Sequence, residues 1–522
     1  MLSVFDQGAP QPCPAPFNMA GHVLAAGAAR PDKIALSVLH PERAEDWSYG
    51  ALIAAVRGTA SGLLQTGLIP GDKILMRIGN TVDFPIAYLG ALAAGLVPVP
   101  TSAQLTEPEV ARLLPGLDAR AVLRDPAVAC PKTEMPQYDL ETLAKWRDLL
   151  PAEWHMDSAN RLGYVIFTSG TSGVPRAVGH AHRAIWARRM MHQGWYGLRR
   201  DDRLCHAGAF NWTYTLGTGL MDPWTLGATA LIPAPEVPAA QLPELLTHHK
   251  VSIFAAAPGV YRNLLKHHIN APSLRHGLSA GEKLSPHIAD LWRDKTGTDL
   301  HEAYGMSEIS TFISGSPDRP ATKGTLGAPQ PGRRVAILGP DGPVPFDTPG
   351  TIAVHRSDPG LMLGYLNAPD ETAARMQGDW FLTGDQAQMD ASGQITYLGR
   401  DDDMMNAGGY RVSPVEVEMV LQAHPGIDHV ACADVEIKPD VRIIAAFYTG
   451  PGPLDETELQ AFAQRSLARY KQPRLWRHVA ALPTGANGKL LRRVLRTGYE
   501  KDTAFEKDTG FEKDTGFEKE TE

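Results

Sequence analysis

The chain has 522 residues, 43% hydrophobic and 21% charged, with a net charge of −8. That length calls for two or three folding units, and the acidic balance argues against nucleic acid as the main partner, which would need a concentrated basic face. Cys13, Cys130, Cys205 and Cys432 lack the spacing of a metal site or a disulfide framework, which fits a reducing compartment.

Residues 1–20 carry no basic stretch followed by an apolar core, so no signal peptide is expected. Over residues 49–66, Leu52, Val56, Leu63 and Leu64 predict a helix with one apolar face. Pro70-Gly71-Asp72 then turns the chain into a short strand over 73–78. The most apolar stretch, residues 84–100, is short for a membrane span and contains Pro85 and Pro98; a buried helix over 84–96 is expected, in a cytoplasmic protein. Apolar segments at 164–167, 228–232 and 251–255 alternate with helical patterns, which predicts an α/β architecture with a largely parallel sheet. Past Gly339 the texture changes to short strands and turns, a β-rich subdomain closing the large unit. Arg400-Asp401-Asp402-Asp403 reads as a boundary, and residues 412–421 open a small α+β unit ending near Arg496. The expected domains are therefore 1–399, a mobile 400–498, and a tail at 499–522. That tail repeats EKDTAF and EKDTGF hexads, too charged to bury a core, and is expected to be disordered.

One motif carries chemistry by itself. Residues 164–175 read YVIFTSGTSGVP, an apolar strand emptying into Thr168, Ser169, Gly170, Thr171, Ser172 and Gly173. Glycines let the backbone turn its N–H groups inward and hydroxyls add donors, a combination suited to a polyphosphate. The GK[ST] ending of a Walker loop is missing.

This loop, extended through Arg176-Ala177, resembles that of the adenylate-forming superfamily: acyl-CoA synthetases, luciferases and peptide-synthetase adenylation domains. The resemblance runs from about Asp32 to Arg493. The family's [ST]SGTTGxPKG becomes TSGTSGVPRA here, with Arg176-Ala177 for Lys-Gly; Arg keeps the charge but presents a planar fork. LSAGEK at 278–283 is similar to the family segment beside the adenine and carries Ala280, Gly281 and Glu282. AYGMSE at 303–308 stands where the family has YGxTE. The resemblance implies that Tyr304 stacks on the adenine with Gly305 beside it in the ATP/AMP-binding set, that Ser307 meets the α-phosphate, and that Glu308 binds Mg²⁺. WFLTGD at 380–385 implies that Asp385 accepts from the ribose hydroxyls. YLGRDDDMMNAGGYR at 397–411 implies a ribose contact for Arg400, a hinge at Asp402, and a pantetheine passage along Gly408 and Gly409. Asn406 replaces a lysine common in the family. LPTGANGKLLRR at 482–493 places Lys489 on the family's catalytic lysine.

What these matches imply is an ATP-dependent carboxylic acid:CoA ligase, using Mg²⁺ and CoA. The carboxylate attacks ATP to give acyl-AMP and pyrophosphate, and the CoA thiol then displaces AMP. The implied acyl pocket includes Phe210, Asn211, Trp212 and Tyr214. Asn211 stands where amino-acid-activating relatives hold the substrate amine with Asp, and the surrounding FNWTYTLGTGLMDPWTLGA looks most like benzoate-CoA-ligase-like members. An aromatic or short-to-medium acid is expected. Two alternatives share the motifs: a stand-alone enzyme loading a carrier protein, and a catalytically inactive regulatory paralogue.

Overall fold

The computed structural model describes residues 1–168, 175–401, 403–407, 410–438, 441–467, 469–484 and 490–499. The chain divides into two compact units. Residues 1–348, 353–383 and 389–396 form one; residues 349–352, 384–388 and the chain from 397 onward form the other.

Helix Tyr49–Gln65 begins where the Ser48 hydroxyl accepts from the Ala51 N–H, satisfying one of the free donors at a helix start. Leu52, Val56 and Leu63 are buried as the periodicity predicts, but Leu64 is 38% exposed. The spacing explains it: 52, 56, 59 and 63 trace one stripe, and position 64 lies about 100° off it. Helix Asp83–Ala93 packs against this helix closely enough that a Cβ on Gly90 would sit 2.9 Å from Thr59 Cγ2.

Among the described residues the largest sheet has nine strands. Its inner strands, in spatial order, are Leu300–Met306, His276–Ala280, Ile253–Ala256, Arg203–Ala207, Thr229–Pro233 and Ile34–Leu39, all paired in parallel. Antiparallel Ser310–Ser314 and Ala44–Ser48 continue it on either side. A parallel sheet needs cover on both faces. Strand Ile253–Ala256 shows that cover residue by residue: Phe254 and Ala256 face Tyr261 and Trp292, whereas Ile253 and Ala255 face Trp195 and Tyr214. A second, parallel sheet runs Val97–Pro100, Lys73–Arg77, Ala119–Arg124, Gln137–Asp139. A β-rich layer includes Val4–Asp6, Arg334–Gly339, Gly350–His355 and Trp380–Met389. In the small unit, helices Pro414–Leu421 and Glu456–Ser466 accompany the three-stranded sheet His429–Lys438, Val441–Thr449, Leu475–His478. The architecture is α/β with a small α+β C-terminal unit. No helix of the described residues is long and apolar enough to cross a membrane, and all four cysteines are free.

A buried ion pair braces the strand that comes after the AYGMSE segment. Arg333 Nη1 lies 2.7 Å from Asp358 Oδ1, both side chains are almost wholly buried, and Arg333 Nη2 donates to the Thr311 carbonyl at 3.1 Å. Removing one partner of such a pair strands a charge, at a cost of about 3–5 kcal/mol. Arg333→Met should therefore lower the thermal unfolding midpoint sharply, and adding Asp358→Leu should restore part of the loss; circular dichroism melts of the two variants check this.

Candidate active site

Strands Leu162–Thr168 and Arg176–Ala181 form an antiparallel hairpin with Thr168 opposite Arg176 and Tyr164 opposite His180. The loop between them, with Ser169, Gly170, Thr171, Ser172 and Gly173, lies outside the described residues. Strand Gly364–Tyr365 pairs with the second arm, Tyr365 opposite Val178.

Strands Leu300–Met306 and Ser310–Ser314 meet at a tight three-residue loop, Ser307-Glu308-Ile309. The register shifts at Tyr304/Gly305, and a Cβ on Gly305 would lie 2.1 Å from the Ser310 carbonyl oxygen, so only glycine fits there. Tyr304 meets Phe312 edge-on, with centroids 5.4 Å apart. Glu308 is 6% exposed; its Oε1 accepts from the Tyr365 hydroxyl at 2.7 Å and its carbonyl from the Met362 N–H at 2.8 Å. Burial and the Glu308 charge together push the Tyr365 phenol up, so it stays a donor.

Among the described residues no basic side chain pairs with Glu308. A buried carboxylate without a cation is expensive, and one carboxylate supplemented by phosphate oxygens is how Mg²⁺ is commonly held. The residues present fit that ion.

Three further residues of this neighbourhood carry no motif of their own. Tyr365 is the hydrogen-bond donor to Glu308. Glu371 pairs with Arg176, Nε to Oε2 2.7 Å, while the guanidinium sits 5.5 Å from the Tyr365 ring centroid. His180 lies with Nε2 2.8 Å from the Ser307 carbonyl; its ring stacks on Tyr164 at 4.8 Å, and burial lowers its pKa to about 4. Sequence carries no local signal for such contacts, because the partners come from distant segments of the chain.

Next to this loop, Ala280 is buried and Gly281 has φ +98°. A Cβ on Gly281 would fall 2.5 Å from Trp212 Cζ2, so the indole lies directly over the Ala280-Gly281-Glu282 segment. Tyr214 crosses Trp212 edge-on at 5.4 Å and donates to the Leu278 carbonyl at 3.1 Å. Phe210 is buried in the main core, 5.7 Å from Phe84, and Asn211 is half-buried. Glu302, one strand position below the tyrosine motif, accepts from the Leu284 N–H at 2.7 Å; burial pushes its carboxyl up to about 7, with the Leu284 bond and Lys283 opposing.

In the second unit Arg400 Nη1 lies 3.9 Å from Asp385 Oδ1, and the Tyr397 hydroxyl lies 3.4 Å from the same oxygen. Arg492 grips both oxygens of Glu418 and comes within 3.5 Å of Asp403. Asp402, Gly408, Gly409 and Lys489 lie outside the described residues.

The AMP-binding enzyme family matches residues 24–366, and the AMP-binding enzyme C-terminal domain matches residues 416–489. The chain belongs to the AMP-binding enzyme family. Within that family it is an AMP-forming acid–thiol ligase. It is 30% identical to the benzoate–CoA ligase of Thauera aromatica across 87% of this chain and 91% of that protein. It is likewise 30% identical to the mitochondrial acyl-coenzyme A synthetase ACSM5 of Mus musculus, over 86% of this chain and 84% of the other. Among solved structures it resembles a benzoate CoA ligase from Burkholderia xenovorans LB400, with TM-score 0.80, 28% identity, and coverage of 92% and 100%. The fold also matches the anthranilate CoA ligase AuaEII bound to anthranoyl-AMP, with TM-score 0.84, 23% identity, and coverage of 94% and 99%.

The Glu302 carboxyl binds its proton more tightly in the folded ligase than in the unfolded chain. Its contribution to stability is complete below the ordinary glutamate pKa and is lost as pH rises through about 7. Glu302→Gln should therefore melt close to the parent at about pH 4.5 and above it at about pH 8; melting curves across that range test the sign.

Proposed function

We propose that this ligase activates an aromatic or short-to-medium-chain carboxylic acid as its acyl-adenylate with ATP, and then passes the acyl group to CoA. What most supports the reading is the buried Glu308 carboxylate, held by Tyr365 on the loop just after Tyr304 and lacking a protein cation among the described residues. The name of the Thauera benzoate–CoA ligase supports the aromatic part.

In the first half-reaction a substrate carboxylate oxygen forms a bond to the α-phosphorus of ATP, and the bond to the pyrophosphate oxygen breaks. Negative charge gathers on the carboxylate, the α-phosphate and the leaving group together. Mg²⁺, held by Glu308 and phosphate oxygens, would neutralise part of that charge. Ser307 and the hydroxyls and N–H groups of 168–173 would donate to phosphate oxygens, with Arg176 nearby once it leaves Glu371. Tyr304 and Gly305 would flank the adenine beside the Ala280-Gly281-Glu282 segment, Asp385 and Arg400 would hold the ribose, and Lys489 would bridge the carboxylate and the α-phosphate. Preorganised donors of this kind are the main catalytic contribution where charge develops. Trp212 and Tyr214 would form an apolar wall for the acyl group, with Asn211 presenting no charge to a substrate amine.

In the second half-reaction the CoA sulfur bonds to the acyl carbon and the bond to the AMP oxygen breaks. Lys489 would occupy that approach, so rotation about Asp402 would carry it away and bring the Gly408-Gly409 backbone alongside the pantetheine.

Pyrophosphate release from ATP should require an added acid, with benzoate and its ring-substituted analogues ahead of long-chain acids, and thioester should form only with CoA. A thioester found only on a supplied holo-carrier protein would transfer the acceptor assignment, and no release with any acid would sink the catalytic reading. Lys489→Ala should cut acid-dependent pyrophosphate release by about two orders of magnitude or more, corresponding to about 3 kcal/mol, while acyl-CoA still forms from supplied acyl-AMP. Equal loss of both half-reactions would remove Lys489 from the adenylation role.

A further inference from the structure

We infer that His180 is a positioning residue for nucleotide binding, holding the Ser307–Glu308 loop through its hydrogen bond to the Ser307 carbonyl. The inference rests on the proposed role of Glu308 and goes beyond it, since it concerns a side chain that acts on the loop through the Ser307 carbonyl.

The loop cannot hold its own shape cheaply. Ser310, which closes it, has φ +74°, a left-handed conformation costing a non-glycine residue about 1–3 kcal/mol unless its surroundings impose it. Those surroundings are identifiable. Tyr365 fixes the Glu308 carboxylate, the Met362 N–H fixes the Glu308 carbonyl, and the Arg188 guanidinium donates to the Ser310 hydroxyl. Arg188 is itself anchored by Asp222. His180 adds a hold at the start of the loop, on the residue directly before Glu308.

The chemistry of that contact is one-sided. A carbonyl only accepts, so Nε2 must carry the proton, and Nδ1 is then a bare acceptor. Among the described residues, Nδ1 is buried with no hydrogen-bond partner. A buried polar atom left unmatched costs stability, so as pure packing an apolar side chain would serve better at this position. What the imidazole provides is the Nε2–H at the right reach. Its direction is set by the 13° stack on Tyr164, directly across the hairpin. Tyr164 and His180 stand opposite each other on the two strands of the hairpin, so the ring that stacks there also reaches Ser307.

The test uses the full-length protein and titration calorimetry with ATP, with and without Mg²⁺, and no acid present. His180→Gln carries an amide nitrogen at about the reach of Nε2, whereas His180→Asn carries one only at the reach of Nδ1. In wild type and His180→Gln, Mg²⁺ should tighten ATP binding alike. In His180→Asn and His180→Leu that Mg²⁺-dependent gain should shrink by about tenfold. Asn is included because Leu also leaves the Ser307 carbonyl without a donor in an apolar setting and can lower the yield of folded protein. A gain in His180→Asn equal to wild type, or a loss in His180→Gln equal to that of Asn, overturns the inference. Wild-type protein that binds ATP with no response to Mg²⁺ overturns the Glu308 reading beneath it instead.

Discussion

Glu308 places a severe physical demand on the large unit: a carboxylate buried to 6% exposure with a phenol, rather than a cation, as its partner among the described residues. Its neighbourhood is organised around that demand. The hairpin Leu162–Thr168/Arg176–Ala181 brings His180 to the loop, and Gly364–Tyr365, laid against the same hairpin, brings the phenol. Neither strand contacts Glu308 by sequence proximity; sheet pairing puts them there.

Other buried charges nearby are treated differently. Asp222 receives two guanidinium nitrogens of Arg188 and the Tyr196 hydroxyl, so its charge is compensated inside the protein. Asp358 is matched by Arg333. Both pairs brace the strand Ser310–Ser314, one through the Ser310 hydroxyl and one through the Thr311 carbonyl. Glu308, by contrast, has no protein cation among the described residues, and it is the acid proposed to hold Mg²⁺. Compensation within the scaffold and its absence at the loop are the pattern of a rigid frame around a site that a ligand completes.

Much of this is readable from residue order alone. The alternation of strands and helices predicts the parallel sheet, and the blocks from TSGTSG to GKLLRR identify the superfamily because each block needs specific residue types at short range. Tertiary partnership is not readable. His180 and Ser307 are 127 positions apart, and Glu308 and Tyr365 are 57 apart; nothing in either local pattern names the other. Leu64 departs from expectation for a simpler reason, since two adjacent leucines cannot both lie on one narrow helical stripe. The resemblance likewise names Arg176 as a phosphate residue without indicating that Glu371 is its partner.

Trp212 over Gly281 has an evolutionary consequence. Gly281 is confined twice, by a left-handed φ of +98° and by an indole 2.5 Å from where a Cβ would stand. Trp212 carries no such backbone restriction. Variation in the volume above this segment therefore has a direction: truncating Trp212 opens space in one step, whereas a side chain added at Gly281 would still carry the strain of its left-handed backbone. With Trp212 as the proposed wall of the acyl pocket, lineages or libraries diverging from this sequence should vary position 212 and keep glycine at 281.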